Sequence, residues 1–272
     1  MSESTPRQPK RDLAELLGGD SGVAPTVDLS IIIPALNEER RLPPTLIDMI
    51  DHLDGRDTTY EVIVVDDGSS DGTASVVRKF ERIRPAIKLL RLPLNAGKGN
   101  AVRTGMLNAT GKRILFADAD GSTPFGELDR LMTALDHGAD IAIGSRARVS
   151  KDTRVATVWY RKLLGRIFNG VVNLVLLPRI ADTQCGFKLF TAEAAREIFP
   201  RQTARRFGFD VEILYIARQL GLLIVEVPIN WSNIPGSKVN LVIDSAQMLL
   251  DVFLFRVRHR NVHPVVKRTN AA

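Results

Sequence analysis

The sequence has little cysteine, no long apolar run and no segment of signal-peptide character. Cys185 is the single cysteine among 272 residues. This excludes an internal disulfide framework and a zinc site built from several cysteines, and fits a reducing compartment such as the cytosol. Nowhere do eighteen apolar residues follow one another, so we expect no transmembrane helix. Residues 1–26 are polar and are predicted to be a disordered tail.

The composition is that of an enzyme-sized globular chain with an excess of positive charge. Hydrophobic residues make up 44% and charged residues 25% of the sequence, which is enough for one large domain with an appendage. The net charge of +6 suits an anionic partner such as nucleic acid, nucleotide phosphates or an acidic membrane surface. Because the basic residues are not interleaved with aromatic side chains, nucleic acid is disfavoured.

Short apolar runs alternate with segments whose apolar residues recur at helical spacing. This alternation predicts an α/β fold with parallel strands and right-handed crossovers. The predicted strands are Leu29–Ile33, Glu61–Val65, Ile87–Leu90, Arg113–Ala117 and Asp140–Ile143, with predicted helices around 46–53, 76–83, 99–107 and 128–135.

Two carboxylates end the fourth predicted strand. Asp118 and Asp120 follow it directly and enter a turn at Gly121-Ser122. The carboxyl ends of parallel strands share one sheet edge, where open α/β folds bind ligands, and carboxylate oxygens are ligands of Mg²⁺ and Mn²⁺. The pair therefore predicts a divalent-metal site for a diphosphate. An ordinary turn is the alternative, since Asp and Gly also mark turns.

Three more polar loops reach the same predicted edge, at residues 34–38, 66–72 and 95–100. The first has no Gly-x-Gly-x-x-Gly pattern, which disfavours a dinucleotide-binding domain. In the second, acidic side chains are candidates for hydrogen bonds to a base or ribose, and an Asx-turn with a helix cap is the alternative. The third offers backbone N–H groups and Lys98 at a helix start as a phosphate cradle, without P-loop spacing.

Together these motifs resemble the large family of inverting glycosyltransferases with the GT-A fold, over about residues 28–240. The resemblance implies a mostly parallel central sheet with helices on both faces, plus amphipathic C-terminal helices. The motifs are Pro34-x-x-Asn37-Glu38, Val65-Asp66-Asp67-Gly68-Ser69, Asn95-x-Gly97-Lys98-Gly99, Ala117-Asp118-Ala119-Asp120 and Gly144-Ser145-Arg146.

Later motifs are similar to those of the dolichyl-phosphate β-glucosyltransferases, and less closely to those of the dolichyl-phosphate mannose synthases. They are Arg161-Lys162, the run from Asp182 to Phe190, Phe209-Asp210-Val211-Glu212, and Asn230-Trp231 through Gly236-Ser237-Lys238. The glucosyl branch is therefore the more specific resemblance.

The resemblance implies a role for each matching residue. Asp118 and Asp120 would hold Mg²⁺ or Mn²⁺, Asp120 most directly, and Ser122 stands where the mannose synthases have a glutamine that can reach the metal. Arg146 and Arg161 would bind the phosphate of a lipid acceptor. The nucleotide sugar would be bound by Pro34, Glu38, Asp66, Asp67, Lys98, Asp118, Asp182, Gln184, Ser237 and Lys238.

Within this set, the resemblance gives finer roles. Glu38 and Asp67 would contact the ribose and base, while Asp182 and Gln184 would line the sugar pocket. Residues 237–238 would lie on a mobile segment that closes over the donor diphosphate.

A lipid phosphate needs little activation as a nucleophile. Its second pKa near 6 leaves about nine-tenths of it doubly charged at pH 7, so no strong general base is required. Arginines on the acceptor side and a divalent cation on the leaving-group side would neutralise the two anions. We expect inversion, from an α-linked donor to a β-linked lipid product.

Structural roles compete with some of these functional ones. Arg146 is also suited to pair with a nearby carboxylate on a helix surface, and Asp210 to cap the helix that follows it. Cys185 is predicted to be a buried small hydrophobe, since no histidine pattern accompanies it. Residues 202–206 resemble the Gln-x-x-Arg-Trp motif of processive synthases but lack its tryptophan, so processivity is not expected.

Two apolar stretches with basic neighbours predict contact with a membrane surface. Residues 155–178 contain a candidate interfacial helix, and residues 241–272 a C-terminal amphipathic helix with a basic tail. Core packing is the alternative for the first stretch, and a homo-oligomer interface for the second. The expected organisation is a tail at 1–26, a glycosyltransferase domain at 27–240 and the C-terminal segment at 241–272.

The favoured function is metal-dependent transfer of glucose from UDP-glucose to a polyprenyl or dolichyl phosphate. The protein would be cytoplasmic and attached peripherally to the cytosolic face of a membrane. The alternatives are a polyprenyl-phosphate mannose synthase that uses GDP-mannose, a transferase for a soluble acceptor, and a non-enzymatic nucleotide-binding protein.

Overall fold

The computed structural model describes residues 26–148, 150–156, 159–234 and 243–264. The predicted tail up to residue 25, the basic tail beyond residue 264, and Ser237 and Lys238 lie outside these ranges. Inside two helices the side chains of residues 159–164, 166–167 and 243–246 are also outside the description, and these include the side chain of Arg161.

In the described ranges the chain forms nine β-strands and eight α-helices. The strands are β1 (Val27–Ala35), β2 (Tyr60–Asp66), β3 (Ile87–Arg91), β4 (Gly111–Ala117), β5 (Ile141–Ser145), β6 (Val155–Ala156), β7 (Phe187–Thr191), β8 (Ile224–Pro228) and β9 (Trp231–Ser232). The helices are α1 (Leu42–Leu53), α2 (Thr73–Ile83), α3 (Lys98–Asn108), α4 (Leu128–Asp136), α5 (Trp159–Val175), α6 (Ala192–Ile198), α7 (Phe209–Gln219) and α8 (Ile243–Arg258).

Seven strands form one sheet in the order β3-β2-β1-β4-β7-β5-β8. Neighbours pair in parallel except at β7, which runs antiparallel to both β4 and β5. In this register Ala35 lies beside Asp66, and Ala117 lies beside Phe187. The ends of β1, β2 and β4 therefore meet the start of β7 at one edge. The predicted α/β fold with a mostly parallel sheet is confirmed.

Helices cover both faces of this sheet, as predicted. Successive strand residues point to opposite faces, so Ile31 and Ile33 belong to one core and Ile32 to the other. The first core includes buried side chains of α1, α2 and α4, and the second those of α3, α5, α6, α7 and α8. Both cores leave the carboxyl edge of the sheet free to carry polar loops.

No helix in the described ranges combines the length and apolarity needed to cross a membrane.

Candidate active site

The loops after β2 and β3 are tied together by Asp67. Its Oδ1 accepts a hydrogen bond from the Ala96 N–H at 2.8 Å and its Oδ2 one from the Gly97 N–H at 2.9 Å. Burial raises the pKa of this carboxyl, although the two N–H donors oppose that effect. The Asn100 N–H donates to the Arg205 carbonyl at 3.1 Å. The N–H groups of Ala96, Gly97 and Asn100 are thus bonded within the protein. Binding of a phosphate by this loop and Lys98 stays a prediction.

Asp66 also serves its own loop. It is fully buried, its Oδ1 accepts from the Ser69 N–H at 2.8 Å, and its Oδ2 lies 3.2 Å from Arg91 Nε. This is the Asx-type turn that was the alternative reading of the acidic loop. Direct contact of Asp66 with a nucleotide stays a prediction.

Glu38 lies after β1 and holds the guanidinium of Arg41 near Asp118 and Asp120. Its Oε2 lies 2.7 Å from Arg41 Nε and its Oε1 2.5 Å from Arg41 Nη2. Burial lowers the pKa of Arg41, but Glu38, and then Asp120 and Asp118, outweigh it and raise the pKa above its usual value. Arg41 Nη1 is buried without a hydrogen-bond partner among the described residues. Arg41 is therefore a site residue that the sequence analysis did not identify.

Asp118 and Asp120 lie in the turn after β4, as predicted. Asp118 Oδ1 is 2.6 Å from the ammonium of Lys98, the first residue of α3. Burial lowers the pKa of Lys98, but Asp118 and Asp210 outweigh it and raise the pKa. Burial, and then the charge of Asp118, raise the pKa of Asp120. The Ser122 N–H donates to Asp120 Oδ1 at 3.0 Å, so Ser122 supports Asp120 in this arrangement.

Gly186 lies against the carboxylate of Asp118. A Cβ at Gly186 would stand 1.9 Å from Asp118 Oδ2, which no side chain could tolerate without moving the carboxylate. The Asp118 N–H also donates to the Gly186 carbonyl at 2.9 Å. Glycine at this position, which the sequence analysis quoted only within a longer motif, lets Asp118 approach β7.

A small pocket opens beside Asp118, between α1, the turn after β4, and the start of β7. Thr45 and Asp48 of α1 hold this turn, because Thr45 Oγ1 donates to the Ala119 carbonyl at 3.0 Å and Asp48 Oδ2 accepts from the Phe125 N–H at 2.8 Å. The lining includes Thr45, Asp48, Asp118, Ser122, Gly186 and Trp231. Asp182 and Gln184 are not part of the lining, so their contact with the sugar stays a prediction.

Arg146 follows β5 and forms a two-pronged ion pair with Asp182. Arg146 Nε lies 2.7 Å from Asp182 Oδ2, and Nη2 lies 2.8 Å from Oδ1. The guanidinium also stacks over Trp231 at 5.4 Å from the ring centroid. Burial raises the pKa of Asp182, but Arg146 outweighs it and holds the pKa below its usual range. Pairing with a carboxylate, the alternative considered for Arg146, occurs, but Asp182 is in a loop and not on a helix surface.

A buried ion pair lies behind the carboxylates. Lys188 of β7 is fully buried and its Nζ binds Asp210 Oδ1 and, at 2.6 Å, the Cys185 carbonyl. Asp210 therefore binds a lysine instead of capping α7, and the cap considered as its role is wrong. The prediction that Cys185 is buried is confirmed, and burial raises the pKa of its thiol to about 12.

Glu212 holds the loop that packs on the start of α3. It is fully buried and accepts from the Thr203 and Ala204 N–H groups at 3.0 and 2.7 Å and from Thr203 Oγ1 at 2.6 Å. His259, just after α8, lies 2.7 Å from its Oε1. Thr203 and Ala204 lie nine and eight residues before Glu212, and His259 lies 47 residues after it, so no local sequence pattern could have identified this cluster.

Four predicted site positions remain: Pro34, Gln184, Arg161 and residues 237–238. Pro34 is buried near the end of β1 beside Val65. Gln184 Nε2 lies 2.9 Å from Met248 Sδ of α8. Arg161 belongs to α5, but its side chain, like residues 237–238, is outside the description.

The model of the family described as "Glycosyl transferase family 2" matches residues 30–199. The chain belongs to glycosyl transferase family 2. It is a hexosyltransferase of this family, with the GT-A fold that the motifs predicted.

Curated family 2 relatives resemble the chain over most of its length. A protein of Drosophila melanogaster named "Dolichyl-phosphate beta-glucosyltransferase" is 43% identical over 249 residues, which cover 87% of this chain and 76% of the relative. A human protein of the same name is 39% identical, with 87% and 77% covered. The predicted resemblance to the glucosyl branch is confirmed.

A solved structure shares the family 2 fold at low identity. Glucosyl-3-phosphoglycerate synthase from Mycobacterium tuberculosis, in complex with Mn²⁺ and UDP-Glc, superposes with a TM-score of 0.60 and 18% identity. The match covers 93% of this chain and 84% of that chain.

Proposed function

We propose that this protein transfers glucose from UDP-glucose to a polyprenyl or dolichyl phosphate, in a metal-dependent reaction that inverts the anomeric centre. The proposal rests on one observation: Asp118 and Asp120 lie together in the turn after β4, at the carboxyl edge of a family 2 sheet. The relatives named dolichyl-phosphate beta-glucosyltransferase support the sugar and the acceptor. The solved neighbour with Mn²⁺ and UDP-Glc supports the donor and the metal.

The residues present fit a divalent cation. Two carboxylates in a partly buried turn repel each other, and the raised pKa of Asp120 reflects first its burial and then that repulsion. Asp118 and Asp120 would hold Mg²⁺ or Mn²⁺, with Ser122 as a third group. No cluster of three acidic, histidine or cysteine side chains suited to a metal occurs in the described ranges, so diphosphate oxygens and water would complete the coordination. The bound cation would neutralise charge that develops on the departing diphosphate.

The donor would lie across the loops that follow β1, β2 and β3. Glu38 and Asp67 are proposed to contact ribose and base, with Asp66 as a further nucleotide-binding residue and Pro34 shaping the entry. Lys98 is proposed to bind a diphosphate oxygen directly. Its ammonium lies beside Asp118, where the metal and the diphosphate would meet. Asp182 and Gln184 are proposed to contact the sugar, and Ser237 and Lys238 to close over the diphosphate.

In the reaction, an oxygen of the acceptor phosphate forms a bond to the anomeric carbon of glucose. The bond from that carbon to the UDP oxygen breaks on the opposite face, and its electron pair leaves with UDP. An α-linked donor thus gives a β-linked product. The doubly charged phosphate needs no base, so the task of Arg146 and Arg161 is to orient it. The bonds to Asp182 use Nε and Nη2 of Arg146, and Nη1 is the atom that would meet the phosphate.

A donor panel tests this proposal. Purified protein is incubated with polyprenyl phosphate, Mn²⁺ and either UDP-glucose, another UDP-sugar or GDP-mannose, with and without chelator. We expect a lipid-linked product from UDP-glucose that the chelator abolishes. Preference for GDP-mannose, or transfer to 3-phosphoglycerate in place of the lipid, would show that the assignment of sugar or acceptor is wrong.

An exposed apolar face of α8 supports peripheral attachment to a membrane. While Met248, Val252 and Phe255 pack into the core, a second stripe at helical spacing faces outward. It consists of Leu250, Phe253, Leu254 and Val257, which are 51 to 67% exposed.

The charges around this stripe favour an anionic bilayer over a second copy of the chain. Arg256, Arg258 and Arg260 are exposed beside it, and each basic group near anionic lipid contributes about 1 kcal/mol. A symmetric dimer through the same face would bring the arginines of two copies into one interface, which like-charge repulsion disfavours. We therefore propose that α8 lies on the cytosolic face of the membrane that holds the acceptor.

A further inference from the structure

Lys98 occupies the carboxylate oxygen that the proposed metal needs. Its Nζ lies 2.6 Å from Asp118 Oδ1. The other oxygen, Oδ2, faces Gly186 so closely that a Cβ there would be 1.9 Å away. One oxygen of Asp118 is thus held by an ammonium, and the other lies close to Gly186. A cation can use this carboxylate fully only after Lys98 releases Oδ1.

Once a metal is bound, the carboxylates that stabilise the Lys98 charge are all engaged with other cations. Its ammonium lies over the ring of Phe116 at 5.4 Å, and its side chain is only 27% exposed. Asp210 and Asp120 also stabilise the Lys98 charge, but Asp210 is already bound to the buried ammonium of Lys188 and Asp120 would itself hold the metal. A partly buried cation that loses its partner is costly. Metal binding alone would therefore leave the Lys98 ammonium partly buried and without an anionic partner, which weakens metal binding.

A diphosphate that arrives with the metal removes this cost. Its oxygens would give the Lys98 ammonium a new anion within reach of α3, while the metal takes over Asp118. Resting on the proposed function, we infer that Lys98 is a positioning residue that exchanges Asp118 for the donor diphosphate and thereby couples metal binding to donor binding.

The coupling has a direct thermodynamic consequence. If the donor makes metal binding easier, the metal must strengthen donor binding by the same factor. A metal that bridges a diphosphate produces some coupling by itself. The contribution of Lys98 is specific, because it weakens metal binding when no diphosphate is present.

Titration calorimetry with Mn²⁺ and UDP separates this contribution. Mn²⁺ is titrated into the full chain with and without saturating UDP, for the wild type, Lys98→Met and Lys98→Arg. We expect Mn²⁺ alone to bind Lys98→Met about threefold or more tightly than wild type, and the strengthening by UDP to fall. Lys98→Arg keeps a positive charge beside Asp118, so it should bind Mn²⁺ alone more weakly than Lys98→Met does.

Lys112→Met is the matched control. Lys112 Nζ forms an exposed ion pair with Asp28 Oδ1 at 2.7 Å, far from Asp118 in the sheet, so its removal should leave Mn²⁺ binding unchanged. Circular dichroism checks the fold, and Lys98→Gln replaces Lys98→Met if the latter does not fold.

The outcomes are distinct. Unchanged or weaker binding of Mn²⁺ alone to folded Lys98→Met overturns the inference and leaves the proposed function standing. A wild-type chain that binds UDP neither with nor without Mn²⁺ overturns both.

Discussion

The guanidinium of Arg146 and the carboxylate of Asp182 meet in a two-pronged ion pair, although 36 residues separate them in sequence. The side chain of Asp182 is 6% exposed and that of Arg146 is 32% exposed. The pair joins the end of β5 to the loop before β7, beside Trp231. It therefore fixes the arginine that is proposed to bind the acceptor.

We predict that Asp182→Asn destabilises the protein by about 2–4 kcal/mol, because Arg146 keeps its charge in a largely buried place without its partner. Asp129→Asn is the control. Asp129 forms a similar two-pronged pair with Arg56 but is 49% exposed, so its loss should cost less than about 1 kcal/mol. Denaturant unfolding at pH 7 measures both, and equal losses would contradict the prediction.

The same pair predicts a pH dependence. Arg146 holds the pKa of Asp182 below its usual range, so the stabilisation is fully present above the unfolded pKa of about 3.9 and is lost as the pH falls through the folded pKa. Between about pH 5 and pH 2 the wild type should therefore lose its advantage over Asp182→Asn. Unfolding curves at a series of pH values test this, and a constant difference between the two proteins would show that the pair does not titrate as described.

Gly186→Ala should impair the enzyme without changing any polar group. The added Cβ would overlap Asp118 Oδ2, so the carboxylate must move away from its place beside Lys98. A shift of about 1 Å at a catalytic group can cost about a hundredfold in rate, and we predict a loss in kcat/KM of at least about tenfold. Gly55→Ala, where a Cβ would meet nothing within 4 Å, is the control. Activity of Gly186→Ala close to that of Gly55→Ala would refute the role of the close contact.

Phe253→Asp should weaken attachment to membranes and leave the fold intact. Phe253 is 57% exposed on the outer stripe of α8, and a carboxylate there would be repelled by anionic lipid. Flotation with anionic liposomes is the measurement, with Ile83→Asp as the control because Ile83 is 74% exposed at the end of α2. Equal flotation of the two variants would mean that α8 does not carry the membrane contact. A change in oligomeric state on Phe253→Asp would instead favour the homo-oligomer interface.

Much of the fold could be predicted because local patterns determine it. β1 to β5 and α1 to α4 all occur where alternating apolar runs predicted them, with boundaries that differ by a few residues. β7 was not predicted, since its second residue, Lys188, has a charge that normally indicates exposure, yet it is fully buried against Asp210. Its antiparallel place between β4 and β5 depends on long-range pairing that no local pattern reveals.

The part of the candidate site that could be predicted is the part built from loops that directly follow parallel strands. The loops that carry Asp67, Asp118 and Asp120 meet at one edge because parallel strands bring them there. Their partners were not predictable, because Asp67 binds N–H groups about 30 residues away and Asp182 belongs to a different part of the chain from Arg146. The same long-range contact engages the N–H groups of Ala96 and Gly97, which the local sequence offered as donors to a phosphate.

The most direct test of the central claim is the anomeric configuration of the product. Wild-type protein and Asp120→Asn are incubated with UDP-glucose, polyprenyl phosphate and Mn²⁺, and the lipid product is analysed by proton NMR through the coupling constant of its anomeric proton. The account predicts β-linked glucose from the wild type, and none from Asp120→Asn or in the presence of a chelator. An α-linked product, or turnover by Asp120→Asn equal to that of the wild type, would contradict it.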